Sequence, residues 1–301
     1  MTETIAQNSA AERRRTARRE ELSKAWFRFS RNKLSVVGLI IVILIILLAV
    51  FADYVTPYPE HAGAFTDLAN ANHAPGGGYI FGTDTIGRDV FTRIIFSYRG
   101  ALKMALMVLI IATPLGSLLG LVAGYKKGTV IEAVIMRLTD IFLSVPSTLM
   151  AMAVASILEP NLTNSMLAIT VTWWPWYARI TYNIASSCSN EYYVINAELI
   201  GENPVGVAIK EILPNCYSAV FTKMALDVGW VVLIGASLSF LGMGEQAPIP
   251  SLGGMISDGY SYMPELWWLT IFPALAMILL ILGFNFLGDG ISDMLAKGDK
   301  A

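Results

Sequence analysis

Charge is scarce in this chain. Asp, Glu, Lys and Arg together make 15% of its 301 residues, well under the roughly 25% of an average soluble domain. A soluble fold that is 55% hydrophobic would expose large adhesive patches, so the composition points to an integral membrane protein. Histidine is nearly absent: His61 and His73 stand alone, and neither belongs to an H-E-x-x-H zinc motif. No Gly-Lys dipeptide occurs, which excludes a G-x-x-x-x-G-K phosphate loop and ATP binding by that device. Two cysteines, Cys188 and Cys216, are too few for a disulfide framework or a thiolate metal cluster and read as buried thiols. The 25 glycines have no G-X-Y period, which excludes a fibrous fold, and the hydrophobicity excludes disorder. A net charge of −2 gives no electrostatic case for nucleic acid. The sequence therefore reads as a membrane protein without catalytic residues, cofactor or metal of its own.

What is present is a set of six hydrophobic runs, at 34–52, 101–123, 134–158, 162–180, 216–241 and 269–287. The first, LSVVGLIIVILIILLAVFA, carries no charge; as a helix it would extend about 28 Å and cross the hydrocarbon layer. Pro114, Pro146, Pro175, Asp140 and Asp227 interrupt later runs. Membrane bundles accept such residues when neighbouring helices satisfy the freed backbone groups. The expected fold is all-α: six transmembrane helices, an N-terminal interfacial helix and a cytoplasmic helical loop.

Basic residues orient it. Nine of the 21 lie between Arg13 and Lys33, whereas Leu241 to Leu269 has none. The N-terminus is expected in the cytoplasm, with Lys297 and Lys300 on the same side after six crossings. Arg88, Arg93, Arg99 and Lys103 lie on the outer side against the rule, and the nine N-terminal charges decide. This gives a cytoplasmic tail and interfacial helix at 1–33, the first span at 34–52 and an extracytoplasmic loop at 53–100. A five-helix core at 101–289 contains a loop at 181–215, and 290–301 is a cytoplasmic tail.

Two segments read as short helices beside the membrane. Leu22, Ala25, Trp26 and Phe29 recur at i, i+3, i+4 and i+7, with Lys24, Arg28 and Arg31 around them, a pattern suited to the headgroup layer. In GTDTIGRDVFTRIIFSYRG at 82–100, Thr83 or Asp84 is a candidate cap, and Asp84 with Arg88 and Asp89 with Arg93 are spaced as i,i+4 ion pairs. Acids within spans are costly and often functional. Asp140, near Arg137, and Asp227, one turn beyond Lys223, are better explained by structural pairing or a polar cavity wall.

The stretch NEYYVINAELIGENPVGVAIKEILPN is polar enough to leave the membrane, yet patterned as two short helices meeting at a turn. Gly201 stops the first, Asn203 caps the second, and Pro204 takes the first helical position, where its missing N–H does no harm. Val205, Ala208, Ile209 and Ile212 then form one apolar face until Pro214. Either the protein's own bundle or a partner's groove must cover that face.

This loop resembles the coupling loop of ATP-binding-cassette importer permeases, in which an acid, a Tyr-Val pair and an alanine lead through Gly to I-L-P-N. Here those are Glu191, Tyr193, Val194, Ala197, Gly201, and Ile212, Leu213, Pro214 and Asn215. FGTDTIGRDVFTR at Phe81, AGYKKG at Ala123, MRLTDIFLSVP at Met136, ASLSFLGMG at Ala236 and FNFLGDGISDML at Phe284 are similar to the C-type permease subunits of dipeptide, oligopeptide and nickel importers. The resemblance runs from about Trp26 to the C-terminus. It implies a multi-pass inner (plasma) membrane subunit that forms half of a solute pathway. The implied partners are membrane lipid, a second homologous permease, two cytoplasmic ATPases that hold ATP and magnesium, and an extracytoplasmic solute-binding protein. The implied ATPase-coupling residues are Glu191, Tyr193, Val194, Ala197, Gly201, Val205, Ile209, Glu211 and Pro214. Two departures bear on the contacts: Asn196 replaces the first of two adjacent alanines, and Glu211 replaces a customary His before I-L-P-N. Peptide is the leading substrate class, and nickel and oligosaccharide systems share the motifs. A stand-alone secondary transporter would need an ion site near the midplane and often inverted repeats, and no repeat is visible.

Overall fold

A computed structural model of the protein describes residue 20 and residues 23–295. Leu22, the arginines at 13–19 and both C-terminal lysines lie outside the described residues. Residues 23–31 are helical (α1). They are followed by α2 (Lys33–Val50), α3 (Ala52–Val55), α4 (Val90–Tyr125), α5 (Val130–Ser144), α6 (Ser147–Ala155) and α7 (Leu162–Cys188). The remaining helices are α8 (Tyr192–Leu199), α9 (Pro204–Gly206), α10 (Leu213–Phe240), α11 (Leu252–Tyr260) and α12 (Trp268–Leu295). Among the described residues, β pairing is confined to two isolated bridges, so the fold is all-α.

Four helical runs, α2, α4, α9 through α10, and α12, are long and apolar enough to cross a membrane. The pair α5 and α6 makes a fifth if taken as one broken span, because it is bent by 89°. The hydrophobicity of 134–158 carries no warning of this, and the break falls at Pro146. Proline lacks an N–H and pushes the preceding residue out of the helical region, and Val145 is extended at φ −101°, ψ 134°. By contrast Pro114, Pro175 and Pro273 lie inside continuous helices. The 27-residue α7 is long enough to span, but Asn164, Arg179 and Asn183 dilute its hydrophobicity.

Helix faces are sorted by size rather than polarity. On α2 the buried side is Ser35, Gly38, Val42, Ile45 and Ala49, while Ile40, Leu44 and Leu47 stay exposed. With lipid outside, burial of apolar surface gives no drive between helices, and close backbone packing does the work. A Cβ on Gly38 would lie 2.6 Å from the Leu287 nitrogen of α12. The most extensive contact joins α4 to α7, where Gly116, Gly120 and Gly124 repeat every four residues. A Cβ on Gly116 would meet the Trp174 carbonyl oxygen at 2.1 Å, and one on Gly124 the Ala185 Cβ at 2.6 Å.

The short helix expected at 82–100 is instead the first turns of the 36-residue α4. Its cap is neither Thr83 nor Asp84 but Asp89, whose Oδ2 accepts the Thr92 N–H at 2.7 Å. Asp84 and Arg88 do pair, at 2.7 Å. Arg93 does not pair with Asp89: its Nε lies 3.8 Å from Asp84 Oδ2 and its Nη1 donates to the His61 and Pro248 carbonyls. Asp84 thus gathers Arg88, Arg93 and the Ile86 and Arg88 N–H groups in the loop preceding α4. Trp268 Nε1 also donates to the Thr83 carbonyl at 3.1 Å, so the loops at 56–89 and 241–267 share one end of the bundle.

Candidate functional site

The segment from Glu191 to Asn215 occupies the opposite end, tied to the base of α4 where Tyr125 Oη donates to Glu198 Oε1 at 2.7 Å. Glu191 is the N-cap residue of α8, with its carboxylate free of any capping bond. Ile200 ends that helix and Gly201 turns the chain at φ +87°. The Gly201 N–H donates to Glu198 O at 3.0 Å and the Glu202 N–H to Ala197 O at 3.1 Å. Together these bonds satisfy the last carbonyls as a Schellman motif. Asn203 Oδ1 then accepts the Gly206 N–H at 2.7 Å, with Pro204 at the first helical position. The caps and the turn therefore fall where the residue types ask for them.

The second helix differs from expectation. It is not a separate element, because α9 runs through a π-helical stretch, Val207–Ile212, directly into α10. The wider π turn changes the phase of the side chains. Val207 and Ile212, five apart, are both buried, while Val205 and Ile209 are exposed. A regular α period placed Val205, Ala208, Ile209 and Ile212 on one face; the π stretch splits them.

Two apolar surfaces result. Val194, Ala197, Val207 and Ile212 pack with Leu121 of α4 and Ala185 of α7 in a small core separate from the main one. Tyr192, Leu199, Ile200, Val205 and Ile209 point outward. Tyr193 and Pro214 are also exposed, Glu211 is half-buried, and Asn215 Nδ2 donates to Tyr193 Oη at 3.1 Å, tying α8 to the start of α10. Lys210 pairs with Glu202 across the turn at 2.5 Å. Of the nine residues singled out from sequence, Val194 and Ala197 hold the loop to the bundle. Glu191, Tyr193, Gly201, Val205, Ile209 and Pro214 form its outer surface.

Both acids that interrupt the hydrophobic runs are paired. Asp227 is fully buried and bonded to Lys223 Nζ at 2.5 Å, Trp173 Nε1 at 2.9 Å and Tyr177 Oη at 2.9 Å. Asp140 pairs with Arg179 of α7 rather than its sequence neighbour Arg137. The Trp173 and Tyr177 donors sit four apart on α7, a spacing visible in sequence but uninformative until α10 is placed beside it.

These features now meet the comparisons with known proteins. Residues 116–298 match the family model described as binding-protein-dependent transport system inner membrane component, and 22–75 match the N-terminal TM domain of oligopeptide transport permease C. The chain belongs to the C-type permease family of ATP-binding-cassette peptide importers. It is 35% identical to the dipeptide transport system permease protein DppC of Haemophilus influenzae, over 91% of this chain and 94% of that one. It is equally 35% identical to the oligopeptide permease OppC of Bacillus subtilis, with 90% and 88% covered. Against the glutathione permease GsiD of Pectobacterium atrosepticum the identity is 33%, with 90% and 89% covered. The inward-facing MetNI methionine ABC transporter shares the fold: TM-score 0.56 at 17% identity, covering 69% of this chain and 98% of that one. The permease is thus a multi-pass inner-membrane transport subunit and not the ATPase of its system.

Proposed function

We propose that this permease forms half of the translocation pathway of a dipeptide or oligopeptide importer, paired with a second homologous permease. Two cytoplasmic ATPases would dock on its 191–215 loop and a solute-binding protein on its outer loops. The relatives named for dipeptide and oligopeptide transport favour that substrate class. The observation that carries the coupling role is the two-sided loop. Its inner surface is locked to α4 and α7, and its outer surface leaves Leu199, Ile200 and Val205 exposed. A push on the outer surface must therefore move the helices behind it. Closure of the ATPases on ATP would drive that motion and open the pathway outward. Coupling of this kind needs two states with different partner contacts.

Six crossings fit the bundle best. The start of α7 lies at the outer end, where Ser165 Oγ donates to the Met243 carbonyl at 2.9 Å. Near its far end Tyr182 bonds Glu132, at the start of α5. The bent α5–α6 pair thus carries the chain from one end to the other, which favours a broken span over a re-entrant loop. With α7 it completes six, leaving the 191–215 loop inside and 53–100 and 242–268 outside. Cysteine labelling in a background without Cys188 and Cys216 tests this. A cysteine at Glu202 should resist a membrane-impermeant thiol reagent in sealed cells, and one at Tyr260 should react and crosslink to the solute-binding protein. Labelling of the Glu202 position from outside refutes the topology.

A further inference from the structure

Most of the membrane-depth surface is plainly built for lipid. The exposed residues of α2 and α12 at that depth, such as Ile40, Leu44, Leu275, Ile278 and Leu282, are all aliphatic. One face departs from this. Where α5, α7 and α10 adjoin, Asp140 and Arg179 form an ion pair with 48% and 35% of their side chains exposed. Next along α7, Trp176 is 44% exposed, and the Lys223 ammonium lies 5.5 Å from its ring centroid. Lys223 itself is 28% exposed, while its partner Asp227 is completely buried. Asp140 and Lys223 are each ten residues into their helices, or about 15 Å of rise, and both lie within hydrophobic runs. Charges half-exposed at that depth cannot face hydrocarbon without large cost, and such residues normally border water-filled cavities.

The pair at α10 is also asymmetric. The acid is sealed behind Trp173 and Tyr177, and the ammonium is the part that reaches the surface. One bond to Asp227 leaves it spare N–H donors. At α10 this wall therefore presents a positive charge beside an aromatic face, next to the paired charges of Asp140 and Arg179.

We propose that the Asp140–Arg179–Trp176–Lys223 face lines the solute pathway and that Lys223 receives the carboxylate of the passing peptide there. The assignment of the peptide rests on the function proposed above; the assignment of the wall does not. Neither depends on a closed pocket, since the second permease would supply the facing wall.

The test uses the assembled importer, with Cys188 and Cys216 replaced, in inside-out membrane vesicles. Trp176→Cys should react with a charged, membrane-impermeant methanethiosulfonate, and Ile43→Cys on α2 should not. Equal rates at the two positions overturn the assignment of the wall. Uptake of dialanine by intact cells is then measured for Lys223→Arg and for the neutral double variant Lys223→Gln/Asp227→Asn, which avoids stranding a buried charge. The double variant should lose about tenfold in uptake, as for one charge-assisted contact, and Lys223→Arg, which keeps the charge but not the shape of the ammonium, should fall between it and wild type. Wild-type uptake by the double variant overturns the carboxylate contact. If the double variant is missing from membranes, dialanine protection of Trp176→Cys decides instead, and unchanged labelling counts against the contact. A wild-type importer that takes up no dialanine refutes the peptide reading and leaves the labelling result standing.

Discussion

Gly120 of α4 sits directly against Ala178 of α7: a Cβ on Gly120 would come 2.2 Å from the Ala178 carbonyl oxygen. The obstacle is backbone, not the end of a flexible side chain, so it cannot be relieved by a rotamer change. Gly120→Val should separate the two helices at cost above the roughly 1–3 kcal/mol of ordinary overpacking. Membrane abundance and thermal stability in detergent should both drop. Gly100 in the same helix has open space where its Cβ would point, so Gly100→Ala should be neutral or stabilising by up to about 1 kcal/mol. Equal behaviour of the two variants would remove the close approach as the reason for the α4–α7 packing.

Gly201 poses the opposite problem. Nothing lies within 4 Å of the position its Cβ would take, but its φ is +87°. The demand is therefore on the backbone rather than on space. Left-handed conformations cost most L-residues about 1–2 kcal/mol, and Asn less than Val. Gly201→Val should leave the six hydrophobic segments inserted while weakening ATPase copurification and uptake, and Gly201→Asn should lie between Val and wild type. A Val variant with wild-type uptake at wild-type abundance would sink the coupling assignment.

The turn at Gly201 was legible because it is a local event: glycine, Asn203 and Pro204 each have one strong backbone preference, and all three are honoured. The same holds for the hydrophobic runs, which length and composition reveal directly. What was illegible depends on neighbours. The π stretch at Val207–Ile212 has no signature in an otherwise regular apolar period. Arg93 looked like a partner for Asp89 by spacing, yet Asp89 is spent on capping α4 and Arg93 reaches loop carbonyls 32 and 155 residues away. The pairing of Asp140 with Arg179 likewise waits on α7 folding back along α5. Pro146 was visible as a residue; that it bends the segment rather than sitting inside it, as Pro114 does, is decided by packing.

The two surfaces of the 191–215 loop should separate folding from the proposed coupling. Val194 is fully buried and Ile200 is 83% exposed. Val194→Asp should strand a carboxylate in the small core and deplete the permease from the membrane. Ile200→Asp should leave abundance unchanged and reduce ATPase association, because burial of an exposed aliphatic side chain at an interface is worth about 1.5–3 kcal/mol. Glu191→Ala removes an exposed charge without disturbing a cap, and its effect should be larger if that charge is desolvated on docking. Pull-down of the ATPases, normalised to permease abundance, reads out all three; an Ile200→Asp variant that binds them like wild type would show that the exposed tip is not the docking surface.

At the end of the bundle away from the 191–215 loop, His61 should make the loop before α4 sensitive to acid. It is buried, stacked on Tyr58 at 4.9 Å and Phe65 at 4.1 Å, and its Nδ1 accepts the Asp89 N–H at 2.9 Å. Burial lowers its pKa below the usual 6.5, although Glu60, Asp89, Asp84 and Asp67 pull the other way. A protonated ring could not accept that N–H, and it would set a positive charge near Arg93, whose Nη1 reaches the His61 carbonyl. Because the unfolded chain takes up the proton first, the neutral ring contributes its full stability above pH about 6.5 and loses it as pH falls below that value. Limited proteolysis of the 56–89 loop should accordingly accelerate as pH is lowered from about 7.5 to 5.5. In His61→Gln, whose amide oxygen can still accept but does not titrate in this range, the acceleration should disappear. A wild-type profile as flat as that of the variant would mean that His61 remains neutral throughout and that the loop owes nothing to its protonation.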